Sequence, residues 1–545
     1  MPVSGKHFGR KVALWPALPP RRALDAPAPC GYQLSSMGAA GAVGGLAAGE
    51  QLERPPSERP PGGRTRPLAE RHPLLGRLRL HPGVAVVLGA CAALFHAAMH
   101  TGLSGDVYFH WAAGNWMLDH HAVIRRDVFS YTVQGRPWVA DEWGFELALA
   151  WLVRTIGPVA FWLASAGSCA LALLLSVARW RRQGAQWLWA AALACLAAAG
   201  LLYGLGPRPQ DPSYALFAAE LLLLSLARSD ARWLAALPLL LLVWANVHGS
   251  FLLGLGVLVL ELVWSLLPEL HGRLRVEPRL APRPVAAALG ASVLASFVNP
   301  HGPGLLAYAV KVSASTELTS LIQEWQSPNF HDLYVLALVV GPLLWLVAVL
   351  GLSSRRLDLG EVVLALLLLV LTLHAVRFLP YLVLAWCSVM SRWVPGRETI
   401  RPSWLTLPVA IALVAGLLAG PHVPAGAPQR GRGSLDMPVD AAAYLRHQEG
   451  RVFATYWWGD YLDHVGIPVF VDGRTDLYFG TKVLSTYVAV SGLTTDPDAV
   501  FRRWDVRWVL WNRDTALSRY LSRDPGWRLV LSSGDALVYE HLGRW

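Results

Sequence analysis

The chain has 545 residues, of which 54% are hydrophobic and only 15% are charged, and its mean hydropathy is +0.38. Soluble domains carry about 25% charged residues, so this composition excludes a soluble globular enzyme. It also excludes a disordered chain and a nucleic-acid-binding protein, although the formal net charge is +10.

Basic charge is concentrated in the first 80 residues. This stretch holds twelve Lys and Arg residues against five acids, and it is rich in Pro, Gly and Ala without hydrophobic periodicity. Such a composition is typical of a disordered segment. We therefore expect residues 1–80 to form a disordered basic tail that holds the N-terminus in the cytoplasm, because basic residues ahead of a first span stay on that side.

Eleven apolar runs follow the tail, and each is a candidate to cross the hydrocarbon core, which takes about 20 residues. A shorter amphipathic segment at 143–156 is predicted to be a helix in the membrane interface. Residues 81–420 are therefore predicted to form an all-α polytopic membrane domain in the inner (plasma) membrane. The runs lie at 84–103, 158–178, 186–205, 212–227, 232–247, 250–267, 284–298, 332–352, 359–376, 379–392 and 404–420.

Arg residues set the predicted orientation. With the N-terminus inside, the short cytoplasmic loops and their flanks hold fourteen basic residues, and the longer outer loops hold seven. This distribution satisfies the positive-inside rule. An odd number of spans then places the C-terminus outside the cytoplasm.

The composition becomes more polar from about residue 421. A Pro/Gly-rich linker (421–433) precedes an alternation of short strands and helices, which predicts a small extracytoplasmic α/β domain over residues 421–545. Strands are expected at 452–456, 469–471, 508–511, 528–532 and 536–540, and helices at 441–447, 482–491 and 499–504.

Polar and aromatic residues are concentrated in the loops that this topology places outside. The long loop 104–142 is followed by the outer strings GPRPQD (206–211), WANVHGS (244–250), NPHG (299–302) and QEWQSP (323–328), and by His374 with Arg377. Polar residues at membrane depth are costly and usually functional. One site built from several loops at one face explains their distribution with a single cause.

Several of these residues also have a purely structural interpretation. Asn246 and His248 could cap a helix, and NPHG is typical of a turn. Arg208 could pair with nearby Asp211, and Arg377 could extend to the interface from the end of its span. In the C-terminal domain, YWWGDY (456–461) and DGRTD (472–476) fit an aromatic core plus a turn, with a sugar platform as the alternative.

The acids of the 104–142 loop are the strongest chemical signal. Asp106 directly follows the first span, where a partly desolvated carboxylate is suited to act as a general base. Asp127, Asp141 and Glu142 are the alternative acids, and two neighbouring carboxylates could instead hold a divalent metal. Asp106 could also be the N-cap of a helix at 107–119.

The order of these features resembles the GT-C superfamily of membrane glycosyltransferases, which use polyprenyl-phosphate-linked sugars. The resemblance rests on a first span, an outer loop with an early Asp and an amphipathic helix, about ten further spans and an outer C-terminal domain. The strings GDVYFHWAAGNWML, RRDVFSYTVQGRPWVADEW, WANVHGSF, NPHG, IQEWQSP and VFVDGRTDLY are similar to a group of bacterial membrane proteins placed near that superfamily.

The resemblance implies an inverting sugar transfer on the outer face, with a polyprenyl-phosphate-linked sugar as co-substrate and membrane lipid as a partner. Asp106 would deprotonate the acceptor hydroxyl. Cationic groups would hold the donor phosphate, and the expected residues are Arg208, His248 and Arg377. Residues expected to line the site are His110, Gln210, Asn246, His301, Glu324 and Trp325. An adjacent acid pair directly after span 1, common in the family, is replaced by Asp141-Glu142 at the end of the loop, which leaves the base and any metal open.

Two other functions compete with the transferase. A transporter or flippase should carry polar residues near the bilayer midplane, with broken helices and repeats. The predicted spans contain few such residues, with Glu220 and Glu261 as the main exceptions, and no internal repeat is visible. A non-catalytic envelope assembly protein would lack an accessible carboxylate in its outer site. The sequence favours the enzyme and leaves the acceptor unidentified.

Overall fold

The computed structural model describes residues 79–103, 105–268, 277–314, 322–352, 358–393, 398, 400–419, 422–428, 436–543 and 545. The expected basic tail therefore lies outside the described residues, apart from its last two positions. Residues 421 and 429–433 of the expected linker also lie outside them.

A helix lies at each of the eleven predicted apolar runs. Helix α2 lies in the 104–142 loop, α3 follows it at the predicted bounds, and α10 is an additional helix in a stretch expected to be loop. In chain order the helices are α1 (Pro82–Met99), α2 (Val107–His120), α3 (Trp143–Ile156), α4 (Val159–Arg182), α5 (Trp187–Gly204), α6 (Gln210–Ala227), α7 (Leu237–Val247), α8 (Phe251–Leu266), α9 (Pro282–Ser296), α10 (Gly304–Ser313), α11 (Leu333–Leu352), α12 (Leu359–His374), α13 (Leu379–Ser391) and α14 (Thr406–Leu418).

Among the residues that the structure describes, four helices are long and apolar enough to span a bilayer: Pro82–Met99, Val159–Arg182, Trp187–Gly204 and Leu333–Leu350. Others are shorter; α14 has 13 residues, which at 1.5 Å per residue cover roughly 20 Å of a core about 30 Å thick. The helices support a membrane protein, but their lengths do not establish eleven crossings.

Charged side chains from five helices or the residues that directly follow them, together with Glu277 from the segment before α9, form a buried cluster where the sequence predicts the cytoplasmic face. Arg179 pairs with Glu361 at 2.7 Å, and Arg228 pairs with Glu261 at 2.9 Å. Each of these side chains is at most 13% exposed. The cluster, named here the basal cluster, consists of Arg179, Arg228, Arg392, Glu261, Glu277 and Glu361.

Glu277 is the carboxylate that connects most of the basal cluster. It contacts both Arg228 and Arg392 and accepts a hydrogen bond from Gln183 at 3.1 Å. Burial would raise the pKa of Glu277, but Arg228, Arg179 and Arg392 outweigh it and lower that pKa to about 2. Glu277 therefore stabilises the fold above its ordinary pKa of 4.5, and this contribution is lost as the pH falls toward 2.

The two acids that the sequence placed inside spans differ in their surroundings. Glu261 belongs to the basal cluster through its bidentate pair with Arg228. Glu220 on α6 is fully buried, and neither of its carboxylate oxygens has a hydrogen-bond partner among the described residues. An oxygen of Glu220 lies so close to Gly254 on α8 that a Cβ there would approach it to 2.9 Å. Glycine at 254 therefore permits close packing of these two helices.

The C-terminal part of the chain contains a mixed four-stranded sheet in the order β1-β2-β4-β3. β1 pairs parallel with β2, and β4 pairs antiparallel with both β2 and β3. The elements are α15 (Val439–Leu445), β1 (Arg451–Ala454), α16 (Tyr456–Val465), α17 (Val483–Ser491), α18 (Pro497–Trp504), β2 (Val506–Asn512), α19 (Ala516–Leu521), β3 (Trp527–Ser533) and β4 (Ala536–His541).

Two sequence-based assignments in this region are wrong. Tyr456 begins helix α16 instead of ending a strand, and residues 469–471 are not a strand of the sheet. Val469 forms isolated bridges to Val452 and to Ser130 of the 104–142 loop. Part of this run therefore pairs with a loop more than 300 residues earlier in the chain.

The 104–142 loop and the C-terminal sheet share their hydrophobic core. Met117 and Trp138 pack in one cluster with Phe453 and Phe470, all at most 6% exposed. The Thr132 hydroxyl donates to the Phe470 carbonyl at 2.7 Å. The sheet therefore packs directly on the loop that carries the candidate acids.

We expect Glu277→Gln to lower the midpoint of thermal unfolding in detergent strongly. The substitution leaves buried guanidinium groups without their carboxylate, and breaking a buried pair costs about 3–5 kcal/mol. Glu398→Gln is the matched control, because Glu398 is 36% exposed and pairs with Arg181, and surface pairs contribute about 0–1 kcal/mol. Equal midpoints for the two variants would contradict a stabilising role for the basal cluster.

Candidate functional site

Asp106 and Arg208 meet at the end of the helices opposite the basal cluster. Asp106 occupies the N-cap position of α2, yet its side chain makes no capping hydrogen bond. Its Oδ2 lies 3.5 Å from Nη1 of Arg208, and the same Nη1 lies 3.3 Å from Oε2 of Glu324. The capping interpretation therefore does not describe the Asp106 side chain, which is 34% exposed and faces the site.

Arg208 does not use its guanidinium as the sequence alternative suggested. Asp211, the neighbour expected to pair with it, accepts a hydrogen bond from the Gly206 backbone N–H at 3.1 Å. The guanidinium points instead to Asp106 and Glu324. Burial acts to lower the pKa of Arg208, but these two carboxylates outweigh burial and raise it, so the group stays charged.

Arg377 forms the second cationic position of the site. Its guanidinium lies 4.4 Å from the ring centre of Trp325 and 3.7 Å from Oε1 of Glu324. Glu324 therefore links Arg377 to Arg208. Stacking on an aromatic ring holds a guanidinium in place while leaving its edge able to donate hydrogen bonds.

His248 is a neutral partner of Arg377. Nη2 of Arg377 donates to Nε2 of His248 at 3.2 Å, and Nδ1 of His248 lies 2.7 Å from the Ser250 hydroxyl. Burial, and then the charge of Arg377, lower the pKa of His248 well below its usual value. His248 in this form carries no positive charge, and it orients the guanidinium of Arg377.

Glu142 lies between two histidines. Its carboxylate oxygens are 3.5 Å from Nε2 of His248 and 3.7 Å from Nε2 of His110. The other ring nitrogen of His110 lies 3.0 Å from Glu146, which is 1% exposed. Burial, and then the charge of Asp141, raise the pKa of Glu142 well above its usual value.

Asp141 precedes Glu142 at the end of the loop and is half-buried. It lies against Gly249, where a Cβ would be 3.5 Å from Oδ2 of Asp141. Burial, and then the charge of Asp476 in the C-terminal part, raise the pKa of Asp141 to about 8. Asp141 is thus brought to the same side of the site as His248 and Arg377.

Three further residues that were predicted to line the site, Asn246, Gln210 and His301, each make their own local contacts. Asn246 is structural, since its amide accepts from Trp143 Nε1 at 2.8 Å and donates to the carbonyls of Leu242 and Val298. Gln210 begins α6, and its Oε1 is buried without a hydrogen-bond partner among the described residues. His301 lies in the turn after α9, where Asn299 accepts its backbone N–H.

Asp127 lies apart from the Arg208 site. It is 2% exposed and pairs with Arg474 at 2.7 Å. It also accepts hydrogen bonds from the backbone N–H and the hydroxyl of Ser130. Because these contacts use its carboxylate, Asp127 serves as an anchor of the loop and not as an alternative base.

The C-terminal part contributes groups that sequence reasoning did not assign to the site. The Asp106 charge contributes to the raised pKa values of both Asp460 and Tyr456, for which burial is the largest cause. The ring of Trp457 packs next to Gly105. The string YWWGDY stood out in the sequence, but only the fold shows that α16 covers the start of α2.

Comparison with known proteins identifies the fold. No protein-family model matches the chain, and none of the curated proteins matches it. It is similar to the archaeal oligosaccharyltransferase AglB from Archaeoglobus fulgidus in complex with an inhibitory peptide and a dolichol-phosphate, with a TM-score of 0.51 at 11% identity over 79% of this chain and 69% of that chain. ArnT from Cupriavidus metallidurans bound to undecaprenyl phosphate gives 0.47 at 15% identity, over 84% and 97%. The prediction of a GT-C-like chain is confirmed at the level of the fold.

We expect Asp141→Asn to remove a pH dependence of stability. Because the pKa is raised, the folded chain holds a proton on Asp141 that the unfolded chain releases at lower pH. The stability that this proton contributes is present at low pH and is lost as the pH rises through about 8. Without divalent metal, the unfolding midpoint of the wild type should fall between pH 6 and pH 9, and that of Asp141→Asn should fall less. Asp119→Asn, which alters an exposed pair with Arg154, should keep the wild-type profile; an unchanged profile in Asp141→Asn would refute this assignment.

Proposed function

We propose that this chain, which has the GT-C fold, is a membrane glycosyltransferase that moves a sugar from a polyprenyl-phosphate donor to an acceptor at the outer face of the inner membrane. The observation that carries the proposal is the 3.5 Å contact of Asp106 with Arg208, 102 residues apart in the chain. This contact places a carboxylate that can accept a proton next to a guanidinium that can bind a phosphate group. The AglB structure, whose fold this chain shares, contains a dolichol-phosphate, which supports a lipid-phosphate donor.

Asp106 is the proposed general base. Its carboxylate accepts the proton of the acceptor hydroxyl while that oxygen forms a bond to the anomeric carbon of the sugar. The bond from the anomeric carbon to the donor phosphate breaks, and polyprenyl phosphate leaves with the bonding electrons. At 34% exposure, Asp106 is open to an incoming hydroxyl, and a positioned base contributes about 10²–10⁴-fold to the rate.

Arg208 and Arg377 are the proposed phosphate ligands. Both are linked through Glu324 in the structure, so they face a common region from two different loops. A guanidinium can donate two parallel hydrogen bonds to phosphate oxygens. His248 and Trp325 hold Arg377 in position, and the leaving phosphate gains stabilisation as its negative charge develops.

A divalent cation does not fit this site as the structure has it. Nη1 of Arg208 lies between Asp106 and Glu324, and the described acids whose carboxylate oxygens converge closely enough to hold one ion lie elsewhere, at Asp460, Asp463 and Asp472. We therefore propose that Arg208 and Arg377 supply the charge neutralisation of the donor phosphate.

We expect Asp106→Asn to lower sugar transfer by about 10²–10⁴-fold while the protein stays folded in the membrane, because Asn keeps the size but cannot take the proton. The measurement is transfer from a radiolabelled polyprenyl-phosphate sugar to membrane acceptors. Asp119→Asn is the matched control, since Asp119 lies at the other end of the same helix in an exposed pair with Arg154.

Asp141→Asn and Glu142→Gln distinguish the rival acids. If Asp106→Asn is active and one of these two variants is inactive, the base is misassigned. If all three retain wild-type turnover, the carboxylate mechanism is wrong. A wild-type chain that moves lipids across the bilayer but transfers no sugar would support the transporter alternative instead.

We expect Arg208→Lys to weaken binding of the donor about tenfold, which corresponds to the loss of roughly one charge-assisted hydrogen bond. Lysine keeps the positive charge but lacks the planar fork. Binding is measured with polyprenyl phosphate in detergent. Arg154→Lys, at an exposed position 42% accessible, is the control, and equal affinity of both variants would show that Arg208 serves only to order Asp106 and Glu324.

A further inference from the structure

We propose that the C-terminal part of the chain holds a second cation site, for a divalent ion of the size of Ca²⁺, between Asp460, Asp463 and Asp472. This site is distinct from the Asp106–Arg208 site and does not depend on the proposed transfer reaction. We name it the aspartate triad. Asp460 and Asp463 lie on α16, and Asp472 lies in the segment that follows it.

The triad has dimensions suited to one ion. Each residue offers a carboxylate oxygen, and these oxygens lie within 4.8 Å of one another. Calcium binds oxygen ligands at about 2.3–2.6 Å, so ligands on opposite sides of the ion are up to about 5 Å apart, and the oxygens of the triad lie within that distance. All three side chains are buried, with exposures of 1%, 5% and 0%.

Asp463 is the observation that points to a ligand. Both of its carboxylate oxygens are buried, and neither has a hydrogen-bond partner in the part of the chain that the structure describes. One of them belongs to the group of oxygens within 4.8 Å, so the side chain is directed into the triad. A buried carboxylate without a partner is costly, and an ion at this point would supply the missing contact.

The charge balance around the triad leads to the same conclusion. Arg474 contacts one acid of the triad, since its Nη2 pairs with Asp472 at 2.6 Å, and it also pairs with Asp127 at 2.7 Å. One guanidinium thus faces four buried carboxylates among the described residues, those of Asp127, Asp460, Asp463 and Asp472. A divalent cation would remove most of this excess negative charge.

The three carboxylates of the triad differ in the contacts that they already make. Asp460 accepts one hydrogen bond, from the Gly473 backbone N–H at 2.6 Å. Asp472 accepts four, from the Tyr478 hydroxyl at 2.9 Å and from the backbone N–H, Nε and Nη2 of Arg474. Each carboxylate oxygen has two lone pairs, so Asp460 and Asp463 have free ligand positions, and Asp472 would exchange one of its bonds to Arg474 for the ion.

An ion in the triad would fasten α16 to the segment that begins at Asp472. Arg474 then continues the connection to Asp127 of the outer loop. Because α16 also packs on α2 near Asp106, the ion would stabilise the cover over the candidate site. We therefore expect its main effect on the stability of the C-terminal part.

The test uses the full chain in detergent, treated with a chelator and then titrated with CaCl₂. Thermal unfolding of the wild type should shift upward with the logarithm of the calcium concentration, since a ligand of the native state stabilises it by mass action. Equilibrium dialysis with ⁴⁵Ca should show a saturable site. Asp463→Asn keeps the shape of the side chain and should weaken calcium binding at least about tenfold and abolish most of the shift.

Asp514→Asn is the matched control, because Asp514 is an exposed acid of the same part of the chain and its left-handed backbone, with φ of 60°, suits Asn. It should keep the wild-type shift. Glu142→Gln should keep it too, which separates the triad from the outer-loop site. The proposal is overturned if the wild type shows no saturable calcium binding, if Asp463→Asn retains the full shift, or if Glu142→Gln alone abolishes it. The proposal is also overturned if calcium does not change the stability of the wild type and Asp463→Asn is more stable than the wild type without metal. That result would identify Asp463 as a neutral buried acid.

Discussion

Arg474 is the residue on which the geometry of the candidate site depends. Its side chain is 1% exposed, and its guanidinium pairs with Asp127 of the 104–142 loop and with Asp472 and lies within 5 Å of the ring centres of Phe129 and Trp138. A buried guanidinium is tolerated only when it is paired, and removing one partner of such a pair is strongly destabilising. The loop and the C-terminal sheet are therefore held in one arrangement at the end of the helices where Asp106 lies.

The two ends of the membrane domain use charge in opposite ways. In the basal cluster, three guanidiniums face three glutamates and little side-chain surface is exposed, so the charges neutralise one another and connect helix ends. At the other end, Arg208, Asp106 and Glu324 retain 24–34% exposure at longer contact distances. Loosely paired, partly hydrated charges can exchange partners at low cost, whereas buried pairs cannot. The basal cluster is therefore suited to a structural role, whereas the group of Arg208, Asp106 and Glu324 can accept a charged ligand.

Local patterns in the sequence predicted the helices but not their partners. The amphipathic period of Trp143–Ile156 predicted both ends of α3 correctly. The predicted topology also placed the loops that carry five residues of the site at one face, and these residues are Asp106, Arg208, His248, Glu324 and Arg377. The pairing of Arg208 with Asp211 was wrong because proximity in sequence favoured a neighbour, while the real partners lie 102 and 116 residues away. The role of Asp127 as an anchor and the pairing of Val469 with the loop were missed for the same reason: tertiary packing decides such contacts, and no periodicity encodes them.

The shared core of the 104–142 loop and the C-terminal sheet has a consequence for the order of biosynthesis. The loop is made early, but contacts such as Thr132 with Phe470 span 338 residues. Until the last fifth of the chain has been synthesised and has reached the same side of the bilayer, apolar side chains such as Met117 and Trp138 have no place to be buried. Non-local contacts of this kind form late, and exposed apolar surface invites misassembly in the meantime. The nascent loop is thus the segment for which protection by chaperones or by the bilayer surface matters most.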